Sequence, residues 1–185
     1  MTELHRRASD HAAPRPLGND FGDTYQAYYP RLFAYIYARV GRVHQTEDIV
    51  SDVFERAYSK MDSLRNKDAF TTWLFTIARN VIVSHARKSS RETIVDPDVM
   101  REISPATASV EAEILQREEW EGIAKAISGF AQREQDIISL KFDAELSNAQ
   151  IAEIMDLTEP NVRVIIFRTI RRLKMMMVAE RKLAS

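Results

Sequence analysis

The sequence contains no cysteine and only five glycines among 185 residues. Without thiols, the chain can form neither a disulfide framework nor a thiolate metal site. Its four histidines are dispersed and lack the spacing of a metal-binding motif. No apolar run approaches the roughly 18 residues that a membrane-spanning helix needs, and the N-terminus lacks the apolar core of a signal peptide. These absences predict a cytoplasmic protein with no cofactor, no metal and no membrane insertion.

Catalytic motifs are missing as well. The chain has no phosphate-binding loop, no nucleophile elbow and no paired-carboxylate arrangement. An enzymatic function therefore has little support, and we expect a protein that is not an enzyme.

The net charge of -1 conceals a strong segregation of charge. Between residues 111 and 156, acidic residues outnumber basic ones by eleven to four. Between residues 158 and 182, basic residues outnumber acidic ones by seven to two. Phosphate binding responds to a local basic patch rather than to the total charge, so the C-terminal segment is a candidate nucleic-acid surface.

Helical periodicity is the main structural signal. Because glycine is scarce and alternating β-branched residues are nearly absent, we predict an all-α protein. Apolar residues recur at three- and four-residue spacing in the segments 21–40, 45–61 and 67–87, and Gly41 can end the first helix. Three helices with matching apolar stripes can close one small bundle, which we place at residues 21–88.

A second domain follows a linker. The segment 89–109 contains two prolines and few apolar residues, and loops of about 20 residues are uncommon inside a compact domain. We therefore predict a flexible linker there, a second helical domain at 110–178, a disordered tail at 1–20 and a C-terminal tail at 179–185. Helices are expected at 110–127 and 132–142, the latter burying Ile137, Ile138, Leu140 and Phe142.

The second domain ends in a helix-turn-helix pattern. Ser147 and Gln150 have the spacing of a capping box, Asp156 tolerates the left-handed turn, and Thr158 can cap the next helix. That helix has the length of a major-groove recognition helix. Several polar and basic residues lie mainly away from its apolar face: Asn161, Arg163, Arg168, Arg171 and Arg172. Alternatively, the capping box only starts a helix, and the arginines only complement a helix dipole.

These residues resemble the extracytoplasmic-function (ECF) subfamily of the bacterial sigma-70-type RNA polymerase sigma factors. The first half is similar to sigma region two, and the second half is similar to sigma region four. The likeness to region two is carried by residues 28–32, 47–50, 54–58 and 70–80, and the likeness to region four by residues 146–155 and 168–173. The similarity covers residues 21–177 and implies a region-two bundle of three or four helices and a four-helix region-four domain.

The resemblance implies partners and contact residues. Core RNA polymerase would be bound through the clamp helices and the flap of its large subunits, and the family is commonly held inactive by an anti-sigma factor. Polymerase binding would fall on Glu47, Asp48, Asp52, Phe54 and Arg56. Minus-ten promoter DNA would be bound by Arg65, Asn66, Lys67, Phe70, Trp73, Arg79, Asn80, Arg87 and Lys88. Minus-thirty-five DNA would be bound by Ser147, Asn161, Arg163, Val164, Arg168, Arg171 and Arg172. Alternatively, Phe70 and Trp73 are core residues and the acids form a solvated helix face.

One departure from the family pattern concerns the recognition helix. Val164, Ile165 and Phe167 stand where small, polar or basic residues are usual in the family, so polar base recognition is in doubt, while Arg163 and Arg168 retain phosphate anchoring. Our hypothesis is that Val164 or Ile165 contacts thymine methyl groups or packs on a protein partner. The alternative is that these residues extend the apolar core face.

Other functions remain open at this point. The chain could be a DNA-binding regulator that uses only the helix-turn-helix, with the first bundle serving for dimerisation or sensing. It could also be an adaptor that blocks a partner without reaching DNA. The acidic second helix and aromatic third helix favour the sigma factor over the regulator, and the terminal arginines disfavour the adaptor.

Overall fold

The computed structural model describes residues 21–89 and 122–183, and their regular structure is entirely helical. The helices are α1 (Phe21–Val40), α2 (Val43–Lys60), α3 (Phe70–Ser89), α4 (122–128), α5 (Gln132–Phe142), α6 (Asn148–Met155) and α7 (Glu159–Leu183), with 3₁₀ turns at Met61–Ser63 and Lys67–Ala69. The predicted N-terminal tail, nearly all of the predicted linker and most of the helix predicted at 110–127 lie outside this part of the chain. The all-α fold class is confirmed.

Helices α1 to α3 form the N-terminal domain around a core that is rich in aromatic rings. Tyr28, Tyr35, Phe70 and Phe75 are all fully buried. The Tyr28 and Phe70 rings meet edge to face with centroids 5.2 Å apart, and the Tyr35 and Phe75 rings do so at 5.7 Å. Edge-to-face contact of this kind adds to the stabilisation from apolar burial, so these rings fix how α1 packs against α3.

Local signals set the ends of these helices. Gly41 has a φ of 72° and its N–H donates to the Tyr37 carbonyl at 2.8 Å, which ends α1 at the predicted residue. Helix α2 begins at Val43, two residues earlier than predicted. Helix α3 begins at Phe70 instead of residue 67, because Asn66 accepts a hydrogen bond from the Asp68 N–H and starts a 3₁₀ turn first.

The C-terminal domain, residues 122–183, has three short helices before the long helix α7, and its core is aliphatic. Ile137, Leu140, Leu146 and Ile151 are fully buried. The prediction that Phe142 joins this core is wrong, because its side chain is 55% exposed. Phe142 is the last residue of α5, and the buried positions after it belong to Ala144 and Leu146. Helix α7 continues to Leu183, so residues 179–183 are helical where we expected a tail.

The two domains pack against each other. Helix α1 contacts α5, and α3 contacts α6. Buried apolar side chains of both domains belong to one continuous cluster, which includes Leu32 and Leu74 from the first domain and Leu140 and Ile151 from the second. The sequence left the relative placement of the domains open, and the structure gives a closed arrangement.

Candidate functional site

The acidic face of α2 consists of Glu47, Asp48, Asp52 and Glu55. Glu47, Asp48 and Glu55 are exposed, and Asp52 is half-buried. Asp52 accepts from Arg56 Nε at 2.7 Å, one turn along the helix, and its other oxygen lies 3.7 Å from His85 Nε2 of α3. The face therefore presents a cluster of carboxylates to solvent that fits a positively charged protein surface.

The predicted polymerase contact Phe54 requires correction. Its side chain is 4% exposed. Its ring packs against Tyr25 with centroids 4.4 Å apart and against Phe21 at 6.1 Å. The Phe54 side chain is thus turned toward the aromatic residues of α1. It stabilises the bundle and does not form part of an exposed contact surface.

The segment predicted to bind minus-ten DNA lies on the surface between α2 and α3. Arg65, Asn66 and Lys67 are exposed, and Asn80 is exposed on α3. The Asn66 side chain holds the turn through Asp68, so its amide oxygen already has a structural partner. Arg65 and Lys67 flank this fixed turn and can place two cations against a nucleic-acid backbone.

The aromatic residues of this segment behave differently from each other. Phe70 is fully buried between Tyr28 and Trp73, so its assignment as a base-contacting residue is corrected to a core role. Trp73 is half-buried, with its ring centroid 5.7 Å from that of Phe70. Of the two, Trp73 alone offers ring surface to a base.

The predicted backbone contact Arg79 is engaged within the protein. Its Nε lies 3.4 Å from Asp136 Oδ2 of the C-terminal domain. In this conformation the Arg79 guanidinium group pairs with a carboxylate of the protein, whereas the prediction had it contacting a DNA phosphate. The side chains of Arg87 and Lys88, which were predicted to act beside it, lie outside the described part of the chain.

The helix-turn-helix forms from α6, a turn at Asp156 and α7. Ser147 Oγ accepts from the Gln150 N–H at 3.2 Å, and Gln150 Oε1 accepts from the Ser147 N–H at 3.0 Å. This reciprocal capping box begins α6 as predicted. Asp156 has a φ of 53° and ends the helix in the left-handed conformation. The Thr158 carbonyl accepts from the Val162 N–H at the start of α7.

The basic face of α7 consists of Arg163, Arg168 and Arg171, which are all exposed together with Asn161. Arg163 pairs with Glu159 one turn earlier at 2.9 Å. Arg172 is also exposed but turns toward its own domain. It pairs with Glu134 at 2.8 Å, and its guanidinium carbon lies 4.7 Å from the centre of the Phe130 ring. Exposed arginines along one helix can bind phosphates and base edges when such a helix lies in a major groove.

The apolar residues of α7 divide between the core and the surface. Ile165 is partly buried against the core, so the alternative of an extended core face holds for this residue. Val164 is 46% exposed, and Phe167 is also exposed. Both lie among the arginines of the basic face, where an apolar group could meet a thymine methyl group.

Sequence reasoning missed a set of residues that join the domains. Arg31 and Arg39 of α1 bind groups of the C-terminal domain, and Asp136 of α5 is buried against Arg39 and Arg79. One signal was present in the sequence. Asp136 lies one turn before Leu140, on the face of α5 that carries the core, and an acid is rarely buried there without a partner.

Family models match both halves of the chain. Sigma-70 region 2 matches residues 24–92, and sigma-70 region 4 matches residues 126–175. The chain is thus a sigma-70-type protein with both regions in order. The ECF RNA polymerase sigma-E factor of Haemophilus influenzae is 30% identical over 133 residues, which cover 65% of this chain and 68% of that protein. The chain belongs to the ECF sigma factor family.

Two further likenesses agree with this assignment. The ECF RNA polymerase sigma factor BldN of Streptomyces coelicolor is 29% identical over 175 residues, and the match covers 94% of this chain but only 64% of BldN. The sigma factor RpoE of Bartonella quintana, solved in complex with the anti-sigma factor NepR, has a TM-score of 0.68 at 21% identity. That match covers 86% of this chain and 98% of RpoE and supports the fold alone.

Two kinds of feature are absent from the parts of the chain that the structure describes. Within residues 21–89 and 122–183, no helix is long and apolar enough to cross a membrane. The same residues contain no group of three or more histidine, aspartate or glutamate side chains that could hold a metal ion.

Proposed function

We propose that this protein is an alternative sigma factor that binds core RNA polymerase, directs it to particular promoters and promotes the initiation of transcription. The observation that carries the proposal is the presence of two dissimilar surfaces in one chain of this family. The acidic face of α2 suits a basic protein surface, and the basic face of α7 suits DNA.

The exposed and half-buried site residues fall into three roles in this proposal. Glu47, Asp48 and Asp52, with Arg56 beside them, bind the clamp helices of the polymerase. Arg65, Lys67, Trp73 and Asn80 bind minus-ten DNA. Asn161, Arg163, Arg168 and Arg171 bind minus-thirty-five DNA, while the C-terminal domain contacts the flap. Ser147 can donate to a phosphate from the position just before α6, although its hydroxyl oxygen is already the cap of that helix.

Control by an anti-sigma factor is part of the same proposal. The relative RpoE of Bartonella quintana was solved with an anti-sigma factor bound, and a partner of that kind would need to cover the exposed faces of α2 or α7. Anti-sigma binding would then compete with polymerase and DNA for the same side chains.

Reconstituted transcription tests the proposal. The full chain is mixed with core RNA polymerase, the complex is isolated, and run-off transcription is measured on genomic fragments. We expect co-purification and initiation at discrete start sites. A folded protein that neither binds core enzyme nor supports initiation would reject the sigma function and favour the helix-turn-helix regulator.

Two variants separate the polymerase and DNA surfaces in this assay. Arg168→Ala with Arg171→Ala should retain core binding and lose start-site selection, since only the basic face of α7 is changed. Arg133→Ala is a matched control, because Arg133 is an exposed arginine of the same domain on α5. Equal loss of transcription in the control would argue against a specific DNA role for α7.

Val164 provides a finer test of DNA recognition. Val164→Ser removes a methyl-contacting surface at an exposed position and leaves the core intact. If Val164 contacts thymine, affinity for the preferred minus-thirty-five duplex should fall by about 0.8 kcal/mol for each buried methyl group that is lost, and selectivity should relax. Unchanged affinity and selectivity would remove the base-contact hypothesis and leave a protein partner as the remaining use of this surface.

A further inference from the structure

Three consecutive methionines, Met175, Met176 and Met177, lie on α7 beyond the arginines of its basic face. Met175 is 57% exposed and Met176 is 41% exposed, whereas Met177 is half-buried. The other two methionines in the described part of the chain are less accessible, since Met61 is half-buried and Met155 is buried. The chain contains no cysteine. Accessible sulfur on the described surface is therefore concentrated at Met175 and Met176.

An exposed thioether reacts with two-electron oxidants such as hydrogen peroxide. The peroxide transfers one oxygen atom to the methionine sulfur. Its O–O bond breaks, an S–O bond forms, and the second oxygen leaves as water with both hydrogens. The sulfur is oxidised to a sulfoxide, and the peroxide is reduced. The product is polar and its oxygen accepts hydrogen bonds, whereas the parent thioether is only a weak acceptor. Methionine sulfoxide reductases reverse the oxidation.

Met175 lies one helical turn after Arg171. Both residues are exposed, and residues four apart are neighbours on one face of a helix. A helical side chain leans over the preceding turn, which brings Met175 over the turn that carries Arg171. No acidic residue lies within four positions of Arg171, and the charged residues in that range are Arg168, Arg172 and Lys174. A sulfoxide oxygen at Met175 therefore gives Arg171 a strong acceptor that none of these cations can offer.

Met176 differs from Met175 in the residue that lies one turn before it. That residue is Arg172, which already pairs with Glu134 at 2.8 Å. Its guanidinium carbon also lies 4.7 Å from the centre of the Phe130 ring. A sulfoxide at Met176 therefore meets an arginine that is held within its own domain. Oxidation of the two exposed methionines should have different consequences for the basic face of α7.

We propose that Met175 is a reversible oxidation site, and that its sulfoxide withdraws Arg171 from the DNA backbone and weakens DNA binding in the presence of peroxide. The modification itself is a property of the free chain. Only its effect on DNA rests on the proposed function of α7.

Peptide masses test the modification. The full chain is treated with hydrogen peroxide, and catalase then destroys the excess. Trypsin cleavage after Lys174 and Arg181 releases the three consecutive methionines in one peptide, and Met155 lies in another. Fragmentation of the first peptide should show that Met175 gains an oxygen atom faster than Met155, because Met175 is exposed and Met155 is buried. An equal or slower rate at Met175 would overturn the site.

Titration of duplex DNA tests the consequence. A labelled duplex of random sequence is the probe, because phosphate contacts do not depend on sequence. Oxidation should remove one phosphate contact. The slope of log affinity against log salt should become shallower by about 0.9, and affinity at about 0.15 M salt should fall by about fivefold. Reduction by the two methionine sulfoxide reductases, one for each epimer, should restore both values. An unchanged slope and affinity after oxidation would overturn the proposal.

Three variants assign the effect to one pair of residues. Met175→Leu conserves volume and removes the oxidisable sulfur, so it should bind the duplex like the parent chain and lose the effect of peroxide. Met176→Leu is the matched control and should keep that effect. Arg171→Ala should weaken binding by itself and lose nothing more on oxidation. A further loss in oxidised Arg171→Ala, as general melting of α7 would cause, or loss of the effect in Met176→Leu would overturn the pairing.

Failure of this proposal and failure of the sigma function give different results. A parent chain that binds the duplex and supports run-off transcription equally before and after oxidation would keep the sigma function and reject the site. A parent chain that binds no duplex at any salt concentration would reject the DNA role of α7, and the effect of oxidation on DNA with it. The peptide masses would still decide the modification.

Discussion

The two domains reach stability in different ways. The N-terminal domain buries four large aromatic side chains completely, whereas the large side chains buried to the same degree in the described part of the C-terminal domain are aliphatic. The C-terminal domain instead has helix-capping interactions, such as the capping box at the start of α6 and the left-handed Asp156 at its end. Helix α6 has only eight residues, and a helix this short depends more on having its unpaired N–H groups satisfied at its start than the long helices of the first bundle do.

The surfaces of the domains differ as clearly as their cores. Helix α2 carries exposed acids and α7 carries exposed arginines. The closed interface depends on the reverse polarity, since arginines of the first domain meet a carboxylate of the second. Helices α2 and α7 thus each carry outward charges opposite in sign to the charges that their domain places at the interface.

The largest expected effect concerns the aromatic core. Phe75→Ala should lower the free energy of unfolding by about 3–5 kcal/mol, because it leaves a cavity beside Tyr35 in a fully packed site. Urea unfolding followed by circular dichroism measures the change. Phe142→Ala in the second domain is the control, and this exposed ring should give a change within about 0.5 kcal/mol. Comparable losses in both variants would contradict the division between the two cores.

The next effect concerns the outward charges. Glu47→Lys with Asp48→Lys should weaken core-polymerase binding by about tenfold or more, since like charges then face each other across the interface. Titration of labelled protein with core enzyme at two salt concentrations measures it. Asp62→Lys, in the exposed turn after α2, provides the control. If the control weakened binding equally, only general electrostatic attraction would be involved.

A smaller effect tests the polar caps of the second domain. Ser147→Ala should cost about 1 kcal/mol of unfolding free energy, because the Gln150 N–H loses its acceptor. Ser59→Ala removes a serine hydroxyl from the surface of α2, where it donates to the Arg56 carbonyl at 3.1 Å, and should be nearly neutral. A neutral result at Ser147 would show that the core, and not the cap, sets the start of α6.

The smallest expected effect is a pH-dependent change in stability. It compares an aspartate at the C-terminal end of α5 with one at the N-terminal end of α1. Burial raises the pKa of Asp143, and its hydrogen bond with Ser139 opposes the rise. The folded state therefore holds this proton more tightly than the unfolded state. The resulting stability is fully present below the unfolded pKa and is lost as pH rises through the folded pKa. At pH 7 the carboxylate also opposes the dipole at the C-terminal end of α5.

Asp143→Asn should consequently raise the unfolding midpoint slightly at pH 7 and leave it unchanged at pH 3, where the native aspartate is protonated. Asp23→Asn should instead lower the unfolding midpoint at pH 7. Asp23 lies in the first turn of α1, where its negative charge interacts favourably with the dipole of that helix. Thermal unfolding of both variants and of the parent chain at pH 3 and pH 7 measures these changes in midpoint. A lower midpoint for Asp143→Asn at pH 7 would mean that its hydrogen bond outweighs the burial of its charge.

Local signals explain which parts of the fold could be predicted. The bounds of α1 and α5 were predicted to the residue, since Gly41 ends the first and an apolar pattern defines the second. The turn at Asp156 and the capping box at Ser147 were predicted from residue types whose backbone preferences act over three or four positions. Capping, turns and periodicity require only neighbours in the sequence.

Exposure of single side chains was predicted less well. Phe54 and Phe70 were assigned to contact surfaces and are buried, whereas Phe142 was assigned to the core and is exposed. An aromatic residue on an apolar stripe has the same pattern whether it faces a neighbouring helix or solvent. Its surroundings depend on how neighbouring helices are rotated and where they end, which periodicity does not specify. The roles of the exposed site residues stay predictions.

The sequence by itself determined the helical class, the two-region organisation and the family, because each follows from local pattern and residue order. Tertiary structure alone decided that the domains close on each other and that Arg79 faces Asp136. These two residues are 57 positions apart, and no local preference relates them. Their pairing arises only when apolar burial brings α3 against α6 and leaves the buried carboxylate in need of cations.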